Sequence, residues 1–167
     1  PEAVLVIATN PVDVLTAVTL QRSQRDASLV FGTGTSLDSA RFRAQLGQHY
    51  GVDPRSVHAY ILGEHGDSEV AIWSGATIGT ERIEDREVLG RPFVRAEMDA
   101  LFEQARRAAY DIIARKGYTN TAIGTVIARL VRAVLTDEHS VHPVSVAIDG
   151  TYGIQGVCLS LPCVLSR

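Results

Sequence analysis

The chain has 167 residues, a formal net charge of -3, 46% hydrophobic and 21% charged residues, which suits a soluble globular protein with one substantial core or two smaller ones. It has no Lys/Arg run to form a nucleic-acid footprint, and no apolar stretch reaches the roughly 18 residues of a membrane span. No basic region precedes an apolar run, so no signal peptide is read.

In chain order, Val4 to Ala8 is a continuous apolar run, the pattern of a strand buried on both faces of a parallel sheet. Asn10-Pro11 ends it. "VDVLTAVTLQRS" predicts a helix whose apolar face carries Val14, Leu15 and Val18, with Val12 beside them. "SLVFGTGT" predicts a short strand ending in a glycine turn. "SLDSARFRAQLGQHYG" predicts a strong helix, with Ser36 as N-cap, Asp38 in the first turn and Gly51 as the stop. "VHAYILGEHG" and "VAIWSGATI" are strand-like. Residues 81 to 92, charged and containing Pro92, are expected at the surface.

"VRAEMDALFEQARRAAYDIIARKG" predicts a long amphipathic helix stopping at Lys116-Gly117. "TAIGTVIARLVRAVLTDE" predicts another, with Gly124 and Ala128 suited to close packing. "HPVSVAIDGTYGIQGVCLSLPCVLS" alternates apolar and polar residues around Asp149-Gly150 and Gly153, the pattern of an antiparallel meander. The opening is therefore α/β and the remainder α+β. Cys158 and Cys163, five apart on an extended strand, point to opposite faces and read as reduced thiols in a cytoplasmic protein.

Few short motifs carry chemistry alone. Gly32 and Gly34 in "GTGT" lack the third glycine of a dinucleotide fingerprint. Asp38 and Arg41, three apart, share a helix face, as a surface ion pair would. Arg41 and Arg43 are roughly 200° apart around the helix, so one site cannot use both. His65 in "LGEHGDS" is either an idle loop residue or a proton-transfer group flanked by Gly63 and Gly66. An aspartate on its far nitrogen would fix its tautomer and stabilise imidazolium. Ser68 lacks a nucleophile elbow, which argues against a hydrolase. His139 and His142, expected in a loop before Pro143, form no metal motif, and no metal site is expected. His49 reads as the polar side of a helix end.

Together, "TNPVD", "GTGTSLDSARFR", "GEHGDSEVAIWS", "KGYTNTAIG" and "DGTYG" resemble, in order and spacing, the L-lactate dehydrogenases, especially bacterial ones, over nearly the whole chain. The resemblance implies residues 1–32 as the C-terminal part of an NAD-binding Rossmann domain. Residues 33–167 would be the α+β catalytic domain, with antiparallel sheet and long helices, incomplete at its C-terminus. The glycine-rich nucleotide fingerprint, the ribose-binding acid and a carbonyl-polarising arginine would lie upstream, and a C-terminal helix downstream. The segment alone is not expected to oxidise lactate.

The resemblance further implies reversible hydride transfer between L-lactate and NAD, giving pyruvate and NADH. His65 would be the acid–base residue and Asp38 its partner. Arg41 would grip the substrate carboxylate. Asn10 would sit near the nicotinamide ribose and substrate oxygen, Thr119 at the substrate pocket, and Thr33 near the nicotinamide. A cis Asn10-Pro11 bond is expected. Arg43 and His58 match the fructose 1,6-bisphosphate site of allosterically activated members, formed across a subunit interface. A cytoplasmic homo-oligomer, a tetramer, follows, with no nucleic-acid or membrane partner. The rival readings are a malate dehydrogenase of the same fold, a non-catalytic scaffold, and a phosphate-sensing module that would need Arg43 and His58 but not His65.

Overall fold

A computed structural model describes residues 3–167. In chain order the elements are β1 (Leu5–Ile7), α1 (Val12–Ser23), β2 (Val30–Gly32), α2 (Ser36–Tyr50), β3 (Val57–His58), β4 (Ile61–Leu62), β5 (Val70–Ala71), β6 (Thr77–Ile78), β7 (Glu81–Arg82), α3 (Arg95–Lys116), α4 (Thr121–Leu135), β8 (Ser140–Asp149) and β9 (Gln155–Leu165). Among the described residues no helix is long and apolar enough to cross a membrane. The chain forms two interleaved compact units. One contains the described residues up to Leu37, Leu62–Glu69 and Asn120–Arg167; the other contains Asp38–Ile61 and Val70–Thr119.

The first unit is built on a four-stranded sheet, β1-β2-β8-β9. The pair β1–β2 is parallel, and β2 meets β8 antiparallel through Gly32 and Ser145. β8 and β9 form the expected long antiparallel pair, so the α/β opening and the later hairpin share one sheet. Pro143 and Pro162 face each other across that pair. Pro143 lies inside β8, and so does His142, which the sequence had placed in a loop.

Successive strand residues point to opposite faces. Phe31 and Val144 pack with Leu130, Ala133 and Leu165, which puts α4 on one side of the sheet. Gly32 and Ser145 turn to the other side, against α1. A Cβ on Gly32 would come within 2.4 Å of Thr16 Oγ1 and 2.9 Å of Val12 Cγ2. The glycine thus lets α1 approach the sheet closely. This approach sets the inward face of α1 as Val12, Asp13 and Thr16, while Val14 and Val18 are exposed, contrary to the apolar periodicity. On α4 the inward residues are Leu130 and Ala133; Gly124 and Ala128 are exposed.

The second unit centres on α2 and α3. Phe42, Leu46 and Tyr50 form a stripe at helical spacing. They cluster with Trp73, Met98 and Ala105, and Phe42 meets Trp73 edge-on at 5.0 Å. Replacing a fully buried phenylalanine such as Phe42 by alanine costs about 3–5 kcal/mol. Residues 81 to 92 are not simply surface, because Ile83 and Val88 are buried in this cluster. The strand-like run 70–78 is interrupted by a 3₁₀ turn at Trp73–Gly75, which turns the indole into the core. Gly51 (φ 72°) follows α2, and Gly117 (φ 86°) caps α3 by donating to Ile113 O, so both predicted stops hold. Ser36 is the first helical residue and donates its hydroxyl to Pro143 O instead of capping α2.

Candidate active site

In the first unit, "GEHGDSE" forms a loop between β4 and β5. Gly63 (φ 93°) adopts a backbone conformation that favours glycine and forms an antiparallel bridge to Ser160. A Cβ on Gly66 would come within 2.6 Å of Glu64 Oε1. Glu64 accepts hydrogen bonds from the backbone N–H and the hydroxyl of Ser68, which leaves that hydroxyl turned inward on the loop. The two glycines therefore serve the loop's own shape. His65 is half-buried.

One residue of this loop support was not legible in the sequence. Asp13 is 9% exposed, and its carboxylate accepts the backbone N–H of His65 at 2.8 Å and the hydroxyl of Ser145. These partners are 52 and 132 positions away. The only sequence signal was an acid in the first turn of a helix, which ordinarily reads as dipole compensation.

Asn10 and Thr33 follow the carboxyl ends of the parallel strands β1 and β2. Asn10 is exposed and joined to Pro11 by the expected cis peptide bond. Thr33 is buried, and its N–H donates to Ile7 O at 2.8 Å.

In the second unit, Asp38 and Arg41 share the predicted face of α2, with Arg41 Nη1 3.6 Å from a carboxylate oxygen of Asp38. Asp38 is buried. Arg41 is largely buried too, and its Nη2 has no hydrogen-bond acceptor among the described residues. An unsatisfied buried charged donor is costly, which makes this one a ready site for an incoming anion. Arg43 points elsewhere, donating to Ala59 O at 3.5 Å. Burial pulls its pKa below the ordinary arginine value, and Tyr60 opposes that shift. Ala59 directly follows His58, which is exposed on β3. Thr119 is exposed two residues past the α3 cap.

The other histidines have local partners. His139 Nε2 lies 3.4 Å from Asp137, and His142 Nε2 lies 2.9 Å from Ser140 Oγ. His49 stacks edge-on against Tyr50 at 4.8 Å, and its Nε2 is buried with no hydrogen-bond partner among the described residues.

Residues 35–167 match the alpha/beta C-terminal domain of lactate/malate dehydrogenase. The chain belongs to the lactate/malate dehydrogenase family. It is 64% identical over 165 residues to the L-lactate dehydrogenase of Salinibacter ruber, covering 99% of this chain and 52% of that protein. It is 46% identical over 166 residues to L-lactate dehydrogenase 2 of Bacillus cereus, covering 99% of this chain and 53% of that one. The crystal structure of minor L-lactate dehydrogenase from Enterococcus mundtii in its ligands-bound form superposes with a TM-score of 0.91 at 45% identity, over 97% of this chain and 52% of that chain. The chain thus spans about half the length of the relatives it matches. Asp38, Arg41, Arg43, His58, His65 and Thr119 lie within the dehydrogenase match, whereas Asn10 and Thr33 precede it.

Proposed function

We propose that this chain is the substrate-handling half of an L-lactate dehydrogenase that interconverts L-lactate and pyruvate with NAD. The observation that carries the reading is the buried, unsatisfied Nη2 of Arg41. A planar guanidinium holds a carboxylate through two parallel hydrogen bonds, as the carboxylate of pyruvate or lactate requires.

His65 is the acid–base group. In the reducing direction it would donate a proton to the carbonyl oxygen of pyruvate. In the oxidising direction it takes the hydroxyl proton of lactate. In this reading Asp38 is the carboxylate partner that favours the imidazolium form of that histidine. Thr119 contributes to the substrate pocket. Asn10 and Thr33 are the residues of this chain that would contact the nicotinamide part of NAD. Their position suits it, because ligands of open parallel sheets bind outside the carboxyl ends of the strands. When bound, NAD supplies the hydride acceptor for lactate and NADH the donor for pyruvate.

Arg43 and His58 form the fructose 1,6-bisphosphate site in this reading. The contact of Arg43 with the backbone carbonyl of the residue after His58 supports it, since it turns the guanidinium toward the end of β3 and off the helix face that carries Arg41. The enzyme is a cytoplasmic homo-oligomer, a tetramer, with that site at a subunit interface.

The test is Arg41→Lys in the full-length enzyme. Lysine keeps the charge but loses the fork, so kcat/KM for pyruvate falls by about 10- to 100-fold, the worth of roughly 1.5–3 kcal/mol for a hydrogen bond to a charged group. Unchanged pyruvate kinetics in Arg41→Lys would remove the carboxylate clamp.

A further inference from the structure

We infer that Asp13 is the positioning residue for His65, through a carboxylate tether that runs from the sheet to the loop backbone. The inference rests on His65 being the acid–base group. Asp13 is placed by three successive contacts. Gly32 lacks the Cβ that would collide with Thr16, Val12 and Ser145, so the first turn of α1 lies close against β2 and β8. That approach buries Asp13 at 9% exposure. One carboxylate oxygen then accepts from Ser145 Oγ on β8, a residue with no exposure, and the other accepts from the His65 N–H at 2.8 Å.

The carboxylate does not serve its own helix. The residue preceding α1, Pro11, makes no side-chain cap, and the hydrogen bonds that the Asp13 carboxylate accepts from His65 and Ser145 come from distant segments. Burying a carboxylate costs several kcal/mol unless its oxygens are well hydrogen-bonded, and here the bonds lead to the histidine loop. Elsewhere the loop is held at Gly63 by Ser160 and at Glu64 by Ser68. Asp13 adds a tie at His65 itself. Fixing the His65 N–H fixes the peptide plane before it, and so the direction in which its Cα–Cβ bond leaves the chain. Misplacing a reacting group by about 1 Å can cost about 10²-fold in rate.

The tether predicts a contrast between two variants. Asn at position 13 still accepts from the His65 N–H with its carbonyl oxygen, and its NH₂ donates to the Ser145 hydroxyl, which rotates to accept it. Alanine breaks both contacts. In the full-length enzyme, Asp13→Ala therefore lowers kcat for pyruvate about 10- to 100-fold, with KM changed less than about threefold because Arg41 is untouched. Asp13→Asn stays within about fivefold of wild type in kcat. Hydrogen exchange at the His65 amide accelerates in Asp13→Ala. In Asp13→Asn that amide stays protected and its proton resonance moves upfield, because a carboxamide replaces the carboxylate acceptor. If Asp13→Ala fails to fold, the Asp13→Asn amide resonance decides: an unmoved resonance overturns the tether. His65→Asn separates the two readings. Full turnover in His65→Asn overturns the acid–base assignment itself. An inactive His65→Asn alongside a wild-type kcat and unchanged His65 exchange in Asp13→Ala overturns the tether alone.

Discussion

Gly63 and Ser160 exchange both of their backbone hydrogen bonds, at 3.0 Å and 2.8 Å, so the entrance to the histidine loop is an extra rung on β9. The same serine is fully buried, and its hydroxyl accepts the N–H of Thr35 at 3.0 Å, just ahead of α2. Ser160 thereby joins the start of that helix and the start of the loop to one strand.

Removing the hydroxyl takes away the hydrogen bond it accepts from the Thr35 N–H, so Ser160→Ala lowers stability by about 0.5–1.5 kcal/mol. Gly34→Ala damages the same junction from the other side. Gly34 has φ +49°, and an added Cβ would come within 2.3 Å of Ser160 Oγ and 2.6 Å of Ser145 N. Left-handed backbone and overpacking together cost about 2–5 kcal/mol. Urea midpoints of the two variants check this, and a Gly34→Ala midpoint at or above that of Ser160→Ala would contradict it.

Arg43→Ala combined with His58→Ala is expected to abolish the effect of fructose 1,6-bisphosphate on the pyruvate response. A phosphate is recognised chiefly by charge-assisted bonds, and the pair supplies a guanidinium and an imidazole N–H as donors. Pyruvate titrations with and without the bisphosphate read the outcome. A double variant that still responds as wild type would remove the regulatory site.

Stability should fall on the alkaline side. Burial raises the Cys158 thiol above its ordinary pKa, and the negative charge of Asp13 raises it further; burial also raises Cys163. Because the folded pKa values are raised, the unfolded chain ionises first, near pH 8.5. The neutral thiols therefore favour folding below that pH, and this contribution is lost progressively above it. Urea midpoints from pH 7 to 10 should fall more steeply for wild type than for Cys158→Ala. Parallel slopes would contradict the burial argument.

The local features of the site were legible because they depend on helix geometry alone. Asp38 and Arg41 share a face by spacing, Arg43 leaves it by angle, and Gly51 and Gly117 end their helices where the sequence placed them. The features that failed are set by distant contacts. The inward face of α1 follows from the missing Cβ of Gly32, so Asp13 and Thr16 displace the more apolar Val14 and Val18. Ile83 and Val88 sit in a charged stretch that gives no period, and only the cluster around Phe42 buries them. Asp13 itself had no local signal, because its partners are on a loop and a strand far along the chain.

The most direct test is NADH oxidation by the full-length protein, with pyruvate against oxaloacetate, in wild type and in His65→Asn. The account predicts turnover with pyruvate well above that with oxaloacetate, lost by about 10²–10⁴-fold in a folded His65→Asn. Preference for oxaloacetate would assign the chain to malate chemistry, and pyruvate turnover unaffected by His65→Asn would contradict the proton-transfer role on which the whole account rests.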